Sequence, residues 1–172
     1  MDLKQKIRVI EDFPSEGISY KDISTLLIDK DAFQEMVKVL SDSIKDLDFE
    51  YIVGIEARGF IVGAALAYAM NKGFVMIRKP GKLPGETISQ DYTLEYGKNT
   101  VEMHIDSFEE GAKVVIIDDL LATGGTIKAS CNLVEKAGGK VQALVFLAEL
   151  TDLNAREVLK DYEVRSIIKY DH

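Results

Sequence analysis

Val114-Val115-Ile116-Ile117-Asp118-Asp119-Leu120-Leu121-Ala122-Thr123-Gly124-Gly125-Thr126 reads as three things in succession: an apolar strand, two adjacent carboxylates, and a small-residue turn that opens a helix. A fully apolar run before the acids suits a central strand of a parallel sheet, buried on both faces. Gly124 and Gly125 let backbone N–H groups come close to a ligand, and Thr123 and Thr126 add hydroxyls. The helix N-terminus beyond them is a ready anion site, so a monophosphate fits there. Asp118 and Asp119 repel a phosphate but suit hydroxyl groups, such as a ribose diol, or a divalent cation. One ligand with a phosphate at one end and a diol nearby satisfies both halves.

Outward from this segment, strands alternate with helices. Residues 31–46 place Phe33, Met36, Val37, Leu40 and Ile44 at spacings of three and four, which predicts an amphipathic helix. Tyr51–Ile55 and Phe74–Ile77 are short apolar strands on either side of a small-residue helix over 59–70. A helix is predicted from about Thr126 to Ala137, ended by Gly138-Gly139. Strands over Val141–Leu147 and Val164–Ile168 follow, with a short helix near Ala155–Lys160 between them. Near the N-terminus, residues 2–10 suit a short helix, a proline–glycine turn follows at 13–17, and Ile18–Ile23 is extended. Residues 78–97 break the pattern with a long polar, glycine- and proline-bearing loop. At its end, Tyr92, Leu94 and Tyr96 alternate with polar residues, so a strand there is expected to pair with Thr100–Ile105 as a hairpin turning near Gly97-Lys98. The fold class expected is α/β: a single domain with a central, mainly parallel sheet flanked by helices.

Composition narrows the function. The chain has 172 residues, within one domain's usual size, and 47% of them are apolar, enough for a sizeable core. Its 21 basic and 29 acidic residues give a net charge of −8, which disfavours a nucleic-acid-binding role. One basic segment stands out locally, Arg78-Lys79 with Lys82. The single cysteine, Cys131, cannot form an internal disulfide and is expected to serve packing, which fits a reducing, cytoplasmic setting. No secretory signal is read at the N-terminus, and no apolar run is long enough to span a bilayer, so no membrane role is expected. His104 and His172 lie far apart, and no His/Cys spacing suits zinc.

Other phosphate motifs are absent. There is no Gly-x-x-x-x-Gly-Lys-Ser/Thr and no Gly-x-Gly-x-x-Gly after a strand, so neither a P-loop nor a dinucleotide site is supported. The 114–126 stretch instead resembles the phosphoribosyl-pyrophosphate motif of the type I phosphoribosyltransferase family. Within that family, four further segments resemble the adenine phosphoribosyltransferases: the opening segment Phe13-Pro14-Ser15-Glu16-Gly17 with its continuation to Ile23, then Ile55-Glu56-Ala57-Arg58-Gly59-Phe60, Arg78-Lys79-Pro80-Gly81-Lys82-Leu83-Pro84-Gly85 and Tyr92-Thr93-Leu94-Glu95-Tyr96-Gly97. The resemblance runs in order along nearly the whole chain.

That resemblance implies conversion of adenine and phosphoribosyl pyrophosphate to AMP and pyrophosphate with magnesium, in a homodimeric purine-salvage enzyme. Asp118 and Asp119 would meet the ribose hydroxyls, directly or through metal-bound water, with the metal held mainly by the substrate and no direct protein ligand expected. Ala122, Thr123, Gly124, Gly125 and Thr126 would hold the 5′-phosphate. Arg58, Arg78, Lys79 and Lys82 would contact pyrophosphate. Glu95 would act as general acid/base near the purine, and Tyr96 would sit over ribose or pyrophosphate. Tyr20 and Leu150 would sandwich adenine, with Ser19 and Lys21 reading its edge by backbone groups. Tyr20 and Lys21 stand where the family often has phenylalanine and arginine. The Glu56–Ala57 peptide is one the family often holds cis. About residues 1–30 would form a purine-binding hood and about 80–97 a catalytic lid. Two other readings remain open: a transferase for hypoxanthine or xanthine, and a non-catalytic phosphoribosyl pyrophosphate sensor.

Overall fold

The computed structural model describes residues 1–94 and 97–171. Elements run in the order β1 (Arg8–Glu11), β2 (Ser19–Asp22), α1 (Ser24–Ile28), α2 (Lys30–Ile44), β3 (Tyr51–Ile55), α3 (Arg58–Met70), β4 (Gly73–Ile77), β5 (Thr87–Leu94), β6 (Gly97–His104), β7 (Lys113–Leu121), α4 (Gly125–Lys136), β8 (Lys140–Leu150), α5 (Ala155–Val158) and β9 (Val164–Tyr170). Five of the strands form one parallel sheet in the order β4-β3-β7-β8-β9. The strand order reverses direction around β3 and β7, and that crevice at the strand C-termini is where open α/β sheets take ligands.

The apolar run of β7 is the spine of both cores. Val115 and Ile117 join one cluster with Ile52, Leu66, Met36 and Leu40 beneath α2 and α3. Val114 and Ile116 join the other with Val53, Phe146, Leu133 and Val134 beneath α4. Alternate strand residues face opposite sides, so a sheet covered on both faces must be apolar at every position. Cys131 is fully buried in the second cluster, and its thiol is pushed up to about 12 by that burial, consistent with packing.

Two antiparallel hairpins, β1-β2 and β5-β6, sit outside the main sheet. The first departs from the helix expected over residues 2–10. Only Leu3–Lys6 winds, as a single 3-10 turn capped by Asp2, after which Arg8–Glu11 becomes a strand. Leu3 and Ile7 are buried, but Ile10 pairs opposite Tyr20 instead of completing a helical stripe. Local spacing yields here to strand pairing with β2, reinforced by Arg8 on Asp22 at 2.6 Å. In the second hairpin Leu94 pairs with Gly97 and Thr93 with Lys98, so Gly97 and Lys98 are strand residues where a turn was expected, and the first strand starts earlier than expected, at Thr87, within the segment read as loop. Ile88 and Tyr92 pack against the α4-side core and thereby order it. Among the described residues no helix is long and apolar enough to cross a membrane.

Phe146 is a large, fully buried side chain, and it lies in register with Asp118. Phe146→Ala should lower unfolding free energy by about 3–5 kcal/mol, read by urea denaturation. A loss under 1 kcal/mol would contradict the two-sided core.

Candidate active site

β7 does not stop at its two acids. Pairing with β8 continues to Leu121 opposite Glu149, so Asp118 and Asp119 are strand residues. Neighbouring strand side chains leave opposite faces, and the pair is divided accordingly. Asp119 is buried and accepts from Arg58 Nε at 2.6 Å. Asp118 lines a cavity of about 100 Å³ with Ala122, Thr123, Gly124, Gly125 and Thr126. Its Oδ1 accepts the Asp119 backbone N–H at 2.8 Å.

The wall behind Asp118 is tight. A Cβ on Gly59, the second residue of α3, would lie 2.9 Å from Asp118 Oδ1, so any larger residue there would push the Asp118 carboxyl. The residue keeps some solvent contact, but its carboxyl group is enclosed. Burial, and then the neighbouring Asp119 charge, raise the Asp118 carboxyl well above its ordinary range.

The turn that follows is shaped for an anion. Gly124 has φ +92°, a left-handed conformation that side chains rarely adopt, and a Cβ there would meet Ala155 Cβ at 3.2 Å. No side chain caps the start of α4 among the described residues, which leaves its first amides facing the cavity. Ala155 is itself fixed from below. Glu149, buried at the end of β8, accepts from Arg156 Nε at 3.0 Å, from Arg156 Nη2 at 2.9 Å and from Ser166 Oγ at 2.7 Å. These bonds hold α5 against the glycine turn.

Arg58 opens α3 immediately after the Glu56–Ala57 peptide, which is cis. Besides Asp119 it donates from Nη1 to the Tyr20 hydroxyl at 3.0 Å, and its guanidinium carbon lies 5.6 Å from the Tyr20 ring centroid. The chain Asp119–Arg58–Tyr20 therefore links the acid pair to β2. The Tyr20 ring meets Phe13 edge-on at 5.2 Å. Lys21 is buried, with Nζ donating to Ser19 Oγ at 2.8 Å and lying 4.7 Å from the Tyr170 ring centroid. Tyr170 is in register with Leu150, so Ser19, Tyr20, Lys21 and Leu150 share one neighbourhood.

On the other side of Asp118, a second cavity of about 160 Å³ is lined by Glu56, Arg78, Lys79, Tyr92, Asp118 and Thr126, among others. Asp118 and Thr126 belong to both cavities. Glu56 organises the basic pair: its Oε1 accepts the Lys79 backbone N–H at 2.6 Å and faces Arg78 Nε at 3.4 Å. Arg78 also lies over the Phe60 ring at 5.6 Å. Lys82 is exposed and does not line this cavity. Glu95 and Tyr96 lie outside the described residues.

The site therefore joins most of the residues singled out from the sequence, and it adds three that pattern reading missed. Glu56, Tyr92 and Glu149 act through partners distant in sequence. Glu56 and Tyr92 each lay inside a quoted motif with no role attached. No short-range spacing signals either.

An open parallel sheet with an acid pair leading into a glycine turn at its crevice defines a phosphoribosyltransferase. In keeping with this, residues 19–172 match the family model described as the phosphoribosyl transferase domain. The chain belongs to this family and, within it, to the adenine phosphoribosyltransferases. It is 59% identical to the adenine phosphoribosyltransferase of Alkaliphilus metalliredigens over 99% of this chain and 100% of that one. The structure of adenine phosphoribosyltransferase from Thermoanaerobacter pseudethanolicus superposes with a TM-score of 0.96 at 50% identity, covering 98% of both chains. The Saccharomyces cerevisiae enzyme, solved with an imino-altritol bisphosphate and adenine, gives 0.88 at 36% identity over 94% of each chain.

A carboxyl raised by folding binds its proton more tightly in the native chain, so its ionisation destabilises the fold as pH rises past the unfolded value of about 3.9. Asp118→Asn should accordingly raise the unfolding temperature at pH 7 by about 2–4 °C, with the gain shrinking as pH falls toward 4. An unchanged or lower value at neutral pH would contradict the enclosed, raised carboxyl.

Proposed function

We propose that the protein transfers the phosphoribosyl group of phosphoribosyl pyrophosphate to adenine, releasing AMP and pyrophosphate. The observation that carries this reading is the sharing of Asp118 and Thr126 by two adjoining cavities, with Asp119 tethered through Arg58 to Tyr20. A phosphorylated pentose spans that arrangement: ester phosphate on the turn at 122–126, hydroxyls at the acids, anomeric carbon toward Arg78 and Lys79.

In the reaction a nitrogen of adenine bonds to the anomeric carbon as the bond to pyrophosphate breaks, and adenine loses a proton. Positive charge develops on the ring, as in glycosyl transfer generally. Arg78 and Lys79 would stabilise the leaving pyrophosphate, with Lys82 joining them. Glu95 would take the purine proton, with Tyr96 over the ribose or pyrophosphate. Asp118 and Asp119 would orient the ribose through its hydroxyls, with the packed strand β5 beside them helping to exclude water.

The donor set bears on the metal. Among the described residues no three His, Cys, Asp or Glu side chains cluster around a metal-sized space. Magnesium takes about six oxygens, and two carboxylates supply few of them, so the residues fit an ion carried largely by the substrate and met by Asp118 and Asp119. When bound, it would supply charge neutralisation to the leaving group.

We also propose a homodimer and a cytoplasmic setting. The outer face of α3 supports the first: Ile61 and Tyr68 are exposed on a helix with no charge from Gly59 to Met70, beside exposed Met76 on edge strand β4. The single buried cysteine is in keeping with the second.

Pyrophosphate release should require adenine, phosphoribosyl pyrophosphate and magnesium together. Faster release with hypoxanthine or xanthine would overturn the purine assignment, and no release with any purine would overturn the transferase. Tyr20→Ala should raise KM for adenine roughly tenfold through lost stacking. Tyr20→Phe, which keeps the ring, should leave it nearly unchanged, and equal losses in both would remove stacking from the account.

A further inference from the structure

We propose that Tyr92 is a positioning residue for the sugar's 5′-phosphate, its phenol orienting the Thr126 hydroxyl at the mouth of the phosphate turn. The inference rests on the transferase reading and adds to it a residue outside the turn itself.

Thr126 is the second residue of α4, and its Oγ1 donates to the Tyr92 hydroxyl at 3.1 Å. Tyr92 comes from a different element, strand β5 of the outer hairpin. Its ring packs against the α4-side core, and its Cδ2 lies 3.7 Å from where a Cβ on Gly125 would stand. The ring thus lies along the turn, and its hydroxyl is fixed by packing. A second tie, Lys136 Nζ to the Ser89 carbonyl at 2.8 Å, fastens the same strand near the other end of α4. Two anchors along one helix set where the phenol sits.

The consequence follows from hydroxyl chemistry. A threonine hydroxyl has one hydrogen and two lone pairs. With its hydrogen on Tyr92, Thr126 presents only lone pairs to an incoming phosphate dianion, which repel it. Rotation of both hydroxyls reverses the chain without breaking any covalent bond. Tyr92 O–H then donates to Thr126 Oγ1, and Thr126 O–H donates to a phosphate oxygen. Each bond polarises the next, so the terminal donor is stronger than an isolated hydroxyl. Tyr92 also contributes to the second cavity with Arg78 and Lys79, which places this relay between the two ends of the substrate.

Calorimetric titration of the full chain with AMP and with ribose 5-phosphate tests this, using wild type, Tyr92→Phe, Thr126→Val and the double variant. Tyr92→Phe keeps the packed ring and removes only the hydroxyl. It should bind both ligands roughly tenfold more weakly. The double variant should bind no more weakly than Thr126→Val alone, because both act through one hydroxyl. Wild-type affinity in Tyr92→Phe would overturn the inference and leave the transferase reading standing. Losses that multiply in the double variant would also overturn it, since Tyr92 would then act independently of Thr126. Failure of the wild-type protein to bind either ligand would overturn the transferase reading, and the inference with it.

Discussion

Two carboxylates side by side at the end of a buried strand are a structural problem before they are a chemical asset. Like charges in a poorly solvated place repel, and each must be neutralised or kept protonated. The strand geometry sends them to opposite faces, and each face answers differently. Asp119 meets the Arg58 guanidinium. Asp118 is left enclosed beside a glycine whose missing side chain makes room for it, its carboxyl raised by burial. Arg58 then holds Tyr20, so neutralising one acid also ties β2 to the acid pair. The Arg58 head group, half-exposed, connects the end of β7 to β2.

The glycine turn is supported in a similar way from outside itself. Gly124, lacking a side chain, takes its left-handed φ and lets Ala155 of α5 come close beneath it. α5 stands there because Arg156 grips a buried glutamate on β8 with two hydrogen bonds. A buried carboxylate without such a partner would be strongly destabilising, so Glu149 and Arg156 depend on each other. The Arg156 hydrogen bonds in turn hold the Glu149 carboxyl below its usual range. The turn's peptide groups are therefore aimed by packing and ion pairing laid down before any ligand arrives, the preorganisation on which electrostatic recognition depends.

Much of the main domain was legible from the chain alone. Short, largely apolar runs, punctuated by glycine, identified β3, β7 and β8, and period-3.6 spacing identified α2, because a sheet covered on both faces and a helix covered on one leave different imprints. The acid pair, the turn and Arg58 were legible because their chemistry is local in sequence. What escaped was non-local. Residues 8–11 carry no strand signature of their own and become a strand only by pairing with β2. Thr87–Asp91 looked like loop because one face of that hairpin is solvent-exposed and polar. The packing of the Lys21 side chain against Tyr170, far along the chain, also carries no local signal. Glu149 looked like one more charge near a strand end, and its role exists only through Arg156 and Ser166.

The most direct measurement is the response of backbone amides to the phosphorylated sugar alone. With isotopically labelled protein, titration of ribose 5-phosphate should move the amide resonances of Thr123, Gly124, Gly125 and Thr126 first and furthest, while those of Arg78 to Lys82, reserved for the absent pyrophosphate, shift little. Unmoved resonances in the turn, with the largest changes gathered on the basic segment or the outer face of α3, would contradict a phosphate seat at the β7–α4 junction.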